Sequence, residues 1–214
     1  MPKASQFIYR YRGYILAVLA LALLLVPFLL DARPSADPFG SALGLAAVLL
    51  CILCYALGLA LRVWARRYIG EHTRGSVHDA DTLVTEGPYA YLRHPLYVSN
   101  TAFACGLVLL WLGIAPLAAP FVVVVVLFEV ALSRAEDRFL EGRFGDAWRA
   151  WAKETPPFIP RFRSLVCGGR NAERAGSHRH LAKRTVWKAF AADASTWAWL
   201  LFVNFLVLCL RFWI

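Results

Sequence analysis

Charge is what this chain is short of. Only 17% of its 214 residues are Asp, Glu, Lys or Arg, against about 25% in a soluble globular domain. The shortage is concentrated in discrete apolar segments, which excludes an ordinary soluble domain. Acidic residues are the scarcest, with 14 Asp and Glu against 23 Lys and Arg, for a net charge of +9. The basic excess flanks apolar segments and no nucleic-acid module accompanies it, so nucleic acid is set aside as a partner. Five cysteines are present, but they form no disulfide framework. Cys51, Cys54, Cys105 and Cys209 sit in apolar runs, and Cys167 lies in a Gly-rich polar stretch. Cys51 and Cys54 have C-x-x-C spacing without a second pair or a nearby His, so no metal is expected. There is no internal repeat.

What the chain has instead is long hydrophobic runs. Tyr14–Leu30, Leu43–Val63, Val98–Gly113, Ala115–Leu132 and Thr196–Phe212 each approach the ~20 residues that cross about 30 Å of hydrocarbon. The valine run before Phe128 has strand propensity. It lacks alternation and hairpin signals, however, and an open sheet edge cannot sit in lipid. The expected class is therefore all-α, a polytopic protein of five membrane helices. The first run is longer than a signal-peptide core and no small-residue cleavage site follows it, so it is read as a retained helix. The third and fourth runs, parted by Gly113 and Ala115-Pro116, are expected to form a tight helical hairpin. The organisation expected is an N-terminal hairpin over 1–63, a core over 64–162, a basic loop over 163–194 and a last helix over 195–214.

The basic residues orient this arrangement. Lys3, Arg10 and Arg12 precede the first run, and Arg62, Arg66, Arg67, Arg74 and Arg93 separate the second from the third. Thirteen more lie from Arg134 to Lys188, while only Arg33 and Arg211 fall on the opposite side. By the positive-inside rule the polar blocks face the cytoplasm and residue 214 faces out. The Ala-, Leu- and Arg-rich usage fits a GC-rich bacterial genome, and hence a bacterial inner membrane.

Two polar blocks interrupt the apolar pattern. The first is Leu83-Val84-Thr85-Glu86-Gly87-Pro88-Tyr89-Ala90-Tyr91-Leu92-Arg93-His94-Pro95-Leu96-Tyr97. Arg, His and several Tyr this close to a membrane segment point to binding or catalysis. The second starts with Glu136-Asp137. It continues with Phe139, Leu140, Phe144, Ala147, Trp148 and Trp151 at helical spacing, is interrupted at Gly145, and ends at Thr155-Pro156-Pro157-Phe158-Ile159-Pro160. Taken alone, it reads as an interfacial helix. The intervening hairpin brings the two blocks to one membrane surface. Arg93, His94, Tyr97, Tyr89 and Tyr91 can then face Glu136. That set suits a zwitterionic, aromatic-bearing cofactor: a carboxylate for a ribose diol or ammonium, Tyr rings for a base, and Arg for a carboxylate.

The two blocks resemble the membrane methyltransferases that include isoprenylcysteine carboxyl methyltransferases and phospholipid N-methyltransferases. The family pattern L-V-T-x-G-P-Y-x-x-x-R-H-P-x-Y matches Leu83 to Tyr97 at every fixed position. The second pattern, E-E-x-x-L-x-x-x-F-G-x-x-Y-x-x-Y, reads here as Glu136-Asp137, Leu140, Phe144-Gly145, Trp148 and Trp151. The resemblance implies S-adenosylmethionine as methyl donor. Its contacts fall on Thr82, Leu83, Val84, Tyr89, His94, Pro95, Leu96, Tyr97 and Glu136. Arg93, His94, Tyr97 and Glu136 are the expected catalytic set, with Arg93 and Arg134 as the cations that could meet an acceptor. The partners implied are membrane lipids and a lipophilic methyl acceptor entering laterally.

The chain departs from the prenylcysteine enzymes at two positions. Asp81 stands where they carry His, and Leu132 stands where they carry an Arg linked to the acceptor carboxylate. A phospholipid head group, amine or phenol is therefore favoured over a prenylcysteine carboxylate. Two rival readings are an NADPH-dependent sterol-type reductase and a non-enzymatic scaffold whose basic loop binds anionic lipid.

Overall fold

A computed structural model describes residues 3–31, 40–69, 82–160 and 184–213, excepting the side chains of 3–10 and 212–213. Asp81, Cys167 and the basic stretch 163–183 lie outside the described residues. The described residues form α1 (Lys3–Leu29), α2 (Ala42–Arg66), a 3₁₀ turn (Gly87–Ala90), α3 (Pro95–Leu112), α4 (Ala118–Phe144), α5 (Asp146–Glu154), α6 (Val186–Ala191) and α7 (Ala194–Trp213). No strand occurs among them. Five stretches are long and apolar enough to span a bilayer: Tyr11–Leu29, Ala42–Arg66, Pro95–Leu112, Ala118–Phe144 and Ala194–Arg211. The protein is an integral membrane protein of all-α class.

Local sequence explains where the helices start and stop. Ser41 caps α2 by accepting from the Gly44 N–H at 3.0 Å. Pro95 opens α3, where its missing N–H costs nothing. The His94 carbonyl takes the first amides, from Tyr97 and Val98. Gly113, at φ +66, ends α3 in the left-handed conformation that glycine adopts without penalty. Gly145, at φ +54, separates α4 from α5, as the sequence suggested.

The sequence boundaries need correction at the two central helices. α3 begins at Pro95, inside the first polar block, not at Val98. α4 does not stop near Leu132. It runs on to Phe144, 27 residues in all, about 40 Å of helix. The expected interfacial helix from Glu136 is therefore mostly the projecting end of α4, and only α5 is separate. Hydropathy marks where lipid contact ends. A helix ends only where its backbone hydrogen bonding does, and nothing from Leu132 to Phe144 breaks it.

The described residues group into two compact units. The first comprises 1–10, 60–99 and 130–192; the second comprises 11–59, 100–129 and 193–214. The second unit is built around Leu23, Leu24, Val108, Trp111, Leu112 and Val207. Leu117, Ala118, Phe121 and Val122 pack on it, which closes the α3–α4 hairpin. Glycines admit aromatic rings here: a Cβ on Gly58 would meet the Phe103 ring at 2.8 Å, and one on Gly106 the Tyr55 ring at 2.9 Å. Tyr55 donates to Asn204 Oδ1 at 2.7 Å, and Arg211 donates to the Leu110 carbonyl. Leu43, Leu57, Leu201 and Phe205 are exposed, as lipid-facing side chains should be. The first unit has a small aromatic core of Ala65, Tyr89 and Trp151, flanked by Tyr68, Ile69, Leu83, Val84, Leu96 and Trp148.

Candidate active site

The first polar block folds back on itself before α3 begins. Pro88 pre-sets the 3₁₀ turn Gly87–Ala90, and Leu92 N–H closes it on the Pro88 carbonyl at 2.9 Å. Gly87 is required twice over. Its φ is +62, and a Cβ there would sit 2.4 Å from the Tyr68 ring. Tyr89 is thereby buried, and its carbonyl accepts from Trp151 Nε1 at 3.1 Å. The proline-rich end of the second block supplies acceptors to the first. The Pro156 carbonyl takes the Arg93 N–H at 2.9 Å, and the Pro157 carbonyl takes the His94 N–H at 3.2 Å.

These contacts present a polar cluster. The His94 side chain is 2% exposed. Its Nε2 lies 3.0 Å from Asp137 Oδ1, and its Nδ1 lies 3.6 Å from Glu136 Oε2. The second distance is an ion-pair contact rather than a hydrogen bond. Arg93 Nη2 reaches Asp137 Oδ2 at 3.3 Å. Tyr97 and Phe158 flank the imidazole at 5.5 and 6.0 Å between ring centroids. The Arg93 guanidinium lies over the Trp148 ring, 5.5 Å from its centroid. Burial lowers the affinity of His94 for a proton, but the hydrogen bond to Asp137 and the adjacent Glu136 carboxylate outweigh it. The net effect raises the pKa. The charged imidazolium, a donor at both nitrogens, is the form this geometry holds.

The structure unites most of the residues singled out in the sequence. Arg93, His94, Tyr97 and Glu136 form the polar side. Leu83, Val84, Tyr89 and Leu96 form the apolar side, continuous with Trp148 and Trp151. Thr82 is half-buried, and Pro95 is buried as the first residue of α3. Arg134 is not among them: its side chain is exposed, and its carbonyl accepts from Arg138 Nε at 3.1 Å. Leu132 is 1% exposed. Sequence reasoning weighted Glu136 because it occupies the invariant-looking place in the pattern. In the structure Asp137 contacts both Arg93 and His94, while Glu136 lies 3.6 Å from His94 Nδ1. The acidic doublet was the available signal, but helical spacing does not say which of two neighbours turns inward. Trp148 and Trp151, which pack on the apolar side, and the carbonyls of Pro156 and Pro157, which accept from Arg93 and His94, were not among the sequence candidates.

Thr85 Oγ1, Arg93 Nε and Trp148 Nε1 are buried polar atoms of this unit without a hydrogen-bond partner among the described residues. Buried polar atoms are normally paired, so together with the apolar wall they fit a polar guest bearing a flat ring. Among the described residues no group of three or more His, Cys, Asp or Glu is arranged to hold a metal.

Residues 46–147 match the family model described as phospholipid methyltransferase. That segment contains the whole first block, both acids of the cluster and the hairpin between them. That part of the chain is similar to the phospholipid methyltransferase family. Within its reach are three curated relatives. The cobalt-zinc-cadmium resistance protein CzcN of Cupriavidus metallidurans is 37% identical over 49% of this chain and 47% of its own length. The nickel-cobalt-cadmium resistance protein NccN of Alcaligenes xylosoxydans is 32% identical over 59% of this chain and 55% of its own. The protein-S-isoprenylcysteine O-methyltransferase of Schizosaccharomyces pombe is 36% identical over 49% of this chain and 45% of its own. The chain thus spans about half the length of the curated relatives it matches. No solved structure matches it. The likeness to methyltransferases is confined to that part of the chain, and the two resistance names state no reaction.

Proposed function

We propose that this protein transfers a methyl group from S-adenosylmethionine to a lipophilic acceptor at the membrane surface. The observation that carries this reading is the Arg93–Asp137–His94 cluster, with His94 buried and its two partners half-buried, set at the junction of two polar blocks within the family-matching segment. Leu83, Val84, Tyr89 and Leu96 would take the adenine. Glu136, whose side chain is 34% exposed, would take a ribose hydroxyl or the ammonium. When bound, the donor supplies a methyl group already activated on a sulfonium. The protein's share of the work is then to position the acceptor and exclude water. His94 serves as a positioning donor. The Asp137 and Glu136 carboxylates favour its charged form, which donates and does not accept a proton. An amine or phenol acceptor would pass its proton to Glu136 or to water.

The acceptor favoured is a phospholipid head group, amine or phenol. A prenylcysteine carboxylate has one specific observation behind it, the similarity to the fission-yeast enzyme. Against it, Leu132 is buried and apolar where a clamping Arg would be needed, and Arg134 is exposed. The two residues lie two apart on α4, a rotation of about 200°, so Arg134 cannot take the place of a cation at 132. The test is competition between a farnesylcysteine analogue and a membrane lipid extract for labelled methyl groups. Label in the lipid fraction is expected. Turnover of the farnesylcysteine analogue alone would reverse the preference, and no label from the sulfonium donor in any fraction would overturn the reading itself.

The charge asymmetry supports a cytoplasmic placement of both blocks in a bacterial inner membrane. Reporter fusions after residues 80 and 165 should report the cytoplasm, and a fusion at 214 the opposite side. A cytoplasmic signal at 214 would mean that α7 lies along the membrane instead of crossing it.

A further inference from the structure

Trp148 lies just beyond the family-matching segment. It stands where the resembling pattern has Tyr, and nothing in the sequence gave it a task. Its indole N–H is buried and has no hydrogen-bond partner among the described residues. The same is true of Arg93 Nε, although another nitrogen of that guanidinium is held by Asp137 at 3.3 Å. The two groups face each other, the guanidinium carbon 5.5 Å from the ring centroid. The neighbouring Trp151 shows what a satisfied indole looks like here, with its N–H on the Tyr89 carbonyl. Two buried N–H donors on adjoining groups, each able to reach about 3 Å to an acceptor, call for an acceptor that the described residues do not supply. Leaving both unpaired is costly. Neutral guests are a poorer match, since one donor belongs to a cation and Asp137 occupies only part of its fork.

We infer that Trp148 and Arg93 together form an oxyanion subsite, with the indole N–H and guanidinium Nε donating to one carboxylate or phosphate group. The inference deepens the methyl-transfer reading and rests on it. Two sources could supply the oxyanion. One is the α-carboxylate of the methyl donor, and the other is the phosphate of a phospholipid acceptor. In either case Trp148 is a binding residue that orients the guest, and the indole face keeps the guanidinium in place.

Trp148→Phe separates these roles, because it keeps a ring beneath Arg93 and removes only the donor. Purified protein in nanodiscs would be titrated by calorimetry with S-adenosylmethionine, with its decarboxylated analogue, and with short-chain phosphatidylethanolamine in the absence of donor. A matched unfolding temperature would establish that the variant folds. If the donor's carboxylate is the guest, Trp148→Phe weakens S-adenosylmethionine about tenfold and leaves the decarboxylated analogue unchanged. If the lipid phosphate is the guest, both donor affinities hold and phosphatidylethanolamine weakens by a similar factor. Equal weakening of S-adenosylmethionine and its decarboxylated analogue, or no change in any of the three, would overturn the subsite and leave Trp148 a packing residue. Wild-type protein that binds neither donor form would defeat the methyl-transfer reading. The subsite would then survive only if Trp148→Phe still weakened the phospholipid.

Discussion

The two units of this protein draw on the same long helices and use them for different ends. In the second unit α1, α3 and α7 bury Leu, Val and Trp in an apolar core, beside which Tyr55 donates to Asn204. In the first unit, the turn before α3 and the C-terminal half of α4 bury an imidazole in contact with carboxylates, one of which also meets a half-buried guanidinium. Burying charge costs free energy unless partners are present, and a paired cluster rarely stabilises more than an apolar core would. The second unit buries single acids, Glu129 and Asp193, whereas the first sets several charged groups against one another, the arrangement expected of a functional site near a membrane.

The contrast breaks most sharply at Asp137. Asp137→Ala removes the carboxylate that contacts both Arg93 and His94. Methyl transfer is expected to fall at least about 100-fold, with a loss of stability on the order of 3 kcal/mol. Labelled-methyl incorporation and thermal unfolding measure the two effects. Activity within a few-fold of wild type would mean that the cluster is structural. A smaller effect is expected at Glu136→Ala, which should weaken donor binding by about 1.5–3 kcal/mol if its carboxylate makes a charge-assisted bond. Its partial exposure points to the lower end. Calorimetry on the folded variant decides, and unchanged affinity would remove Glu136 from the site.

How much of this was legible beforehand differs between the units. The second was nearly all readable, because lipid imposes a length and a polarity that hydropathy reports directly. In the first unit the residue types were readable and their partners were not. Glu136 and Asp137 are adjacent on a helix, about 100° apart. Only the packing of α4 against the turn before α3 brings Asp137 onto His94 and Arg93. The extension of α4 past Leu132 was hidden for a related reason, since its hydropathy changes there and its backbone bonding does not.

A third way to sharpen the comparison is pH. His94 faces Asp137 and Glu136, with Arg93, Tyr97 and Phe158 close by, and its pKa is raised in the folded protein. Stability from this pairing is fully present below the unfolded value of about 6.5. It is lost as pH rises through the higher folded value. Unfolding temperatures taken across neutral and mildly alkaline pH should decline in the wild type, and more weakly in Asp137→Asn. Identical slopes would show that His94 does not titrate with folding. The smallest effect belongs to the second unit. Tyr55→Phe removes the hydroxyl that meets Asn204, at a cost of about 0.6 kcal/mol in a membrane interior, and donor affinity should not move. A change in donor affinity would mean that the apolar unit is not the passive one.

The sequence by itself determined the class. Scarce charge, five apolar runs and their basic flanks dictate a helical membrane protein, because hydrocarbon admits no unpaired backbone. The same sequence supplied the residue types of the site through the two polar blocks. What only the tertiary structure decided is which of them meet. Asp137 came to contact both Arg93 and His94, Arg134 turned outward, and Trp148 came to lie against Arg93. Composition and spacing fix what a segment can bury, but contacts between segments distant in the chain depend on how the segments are packed.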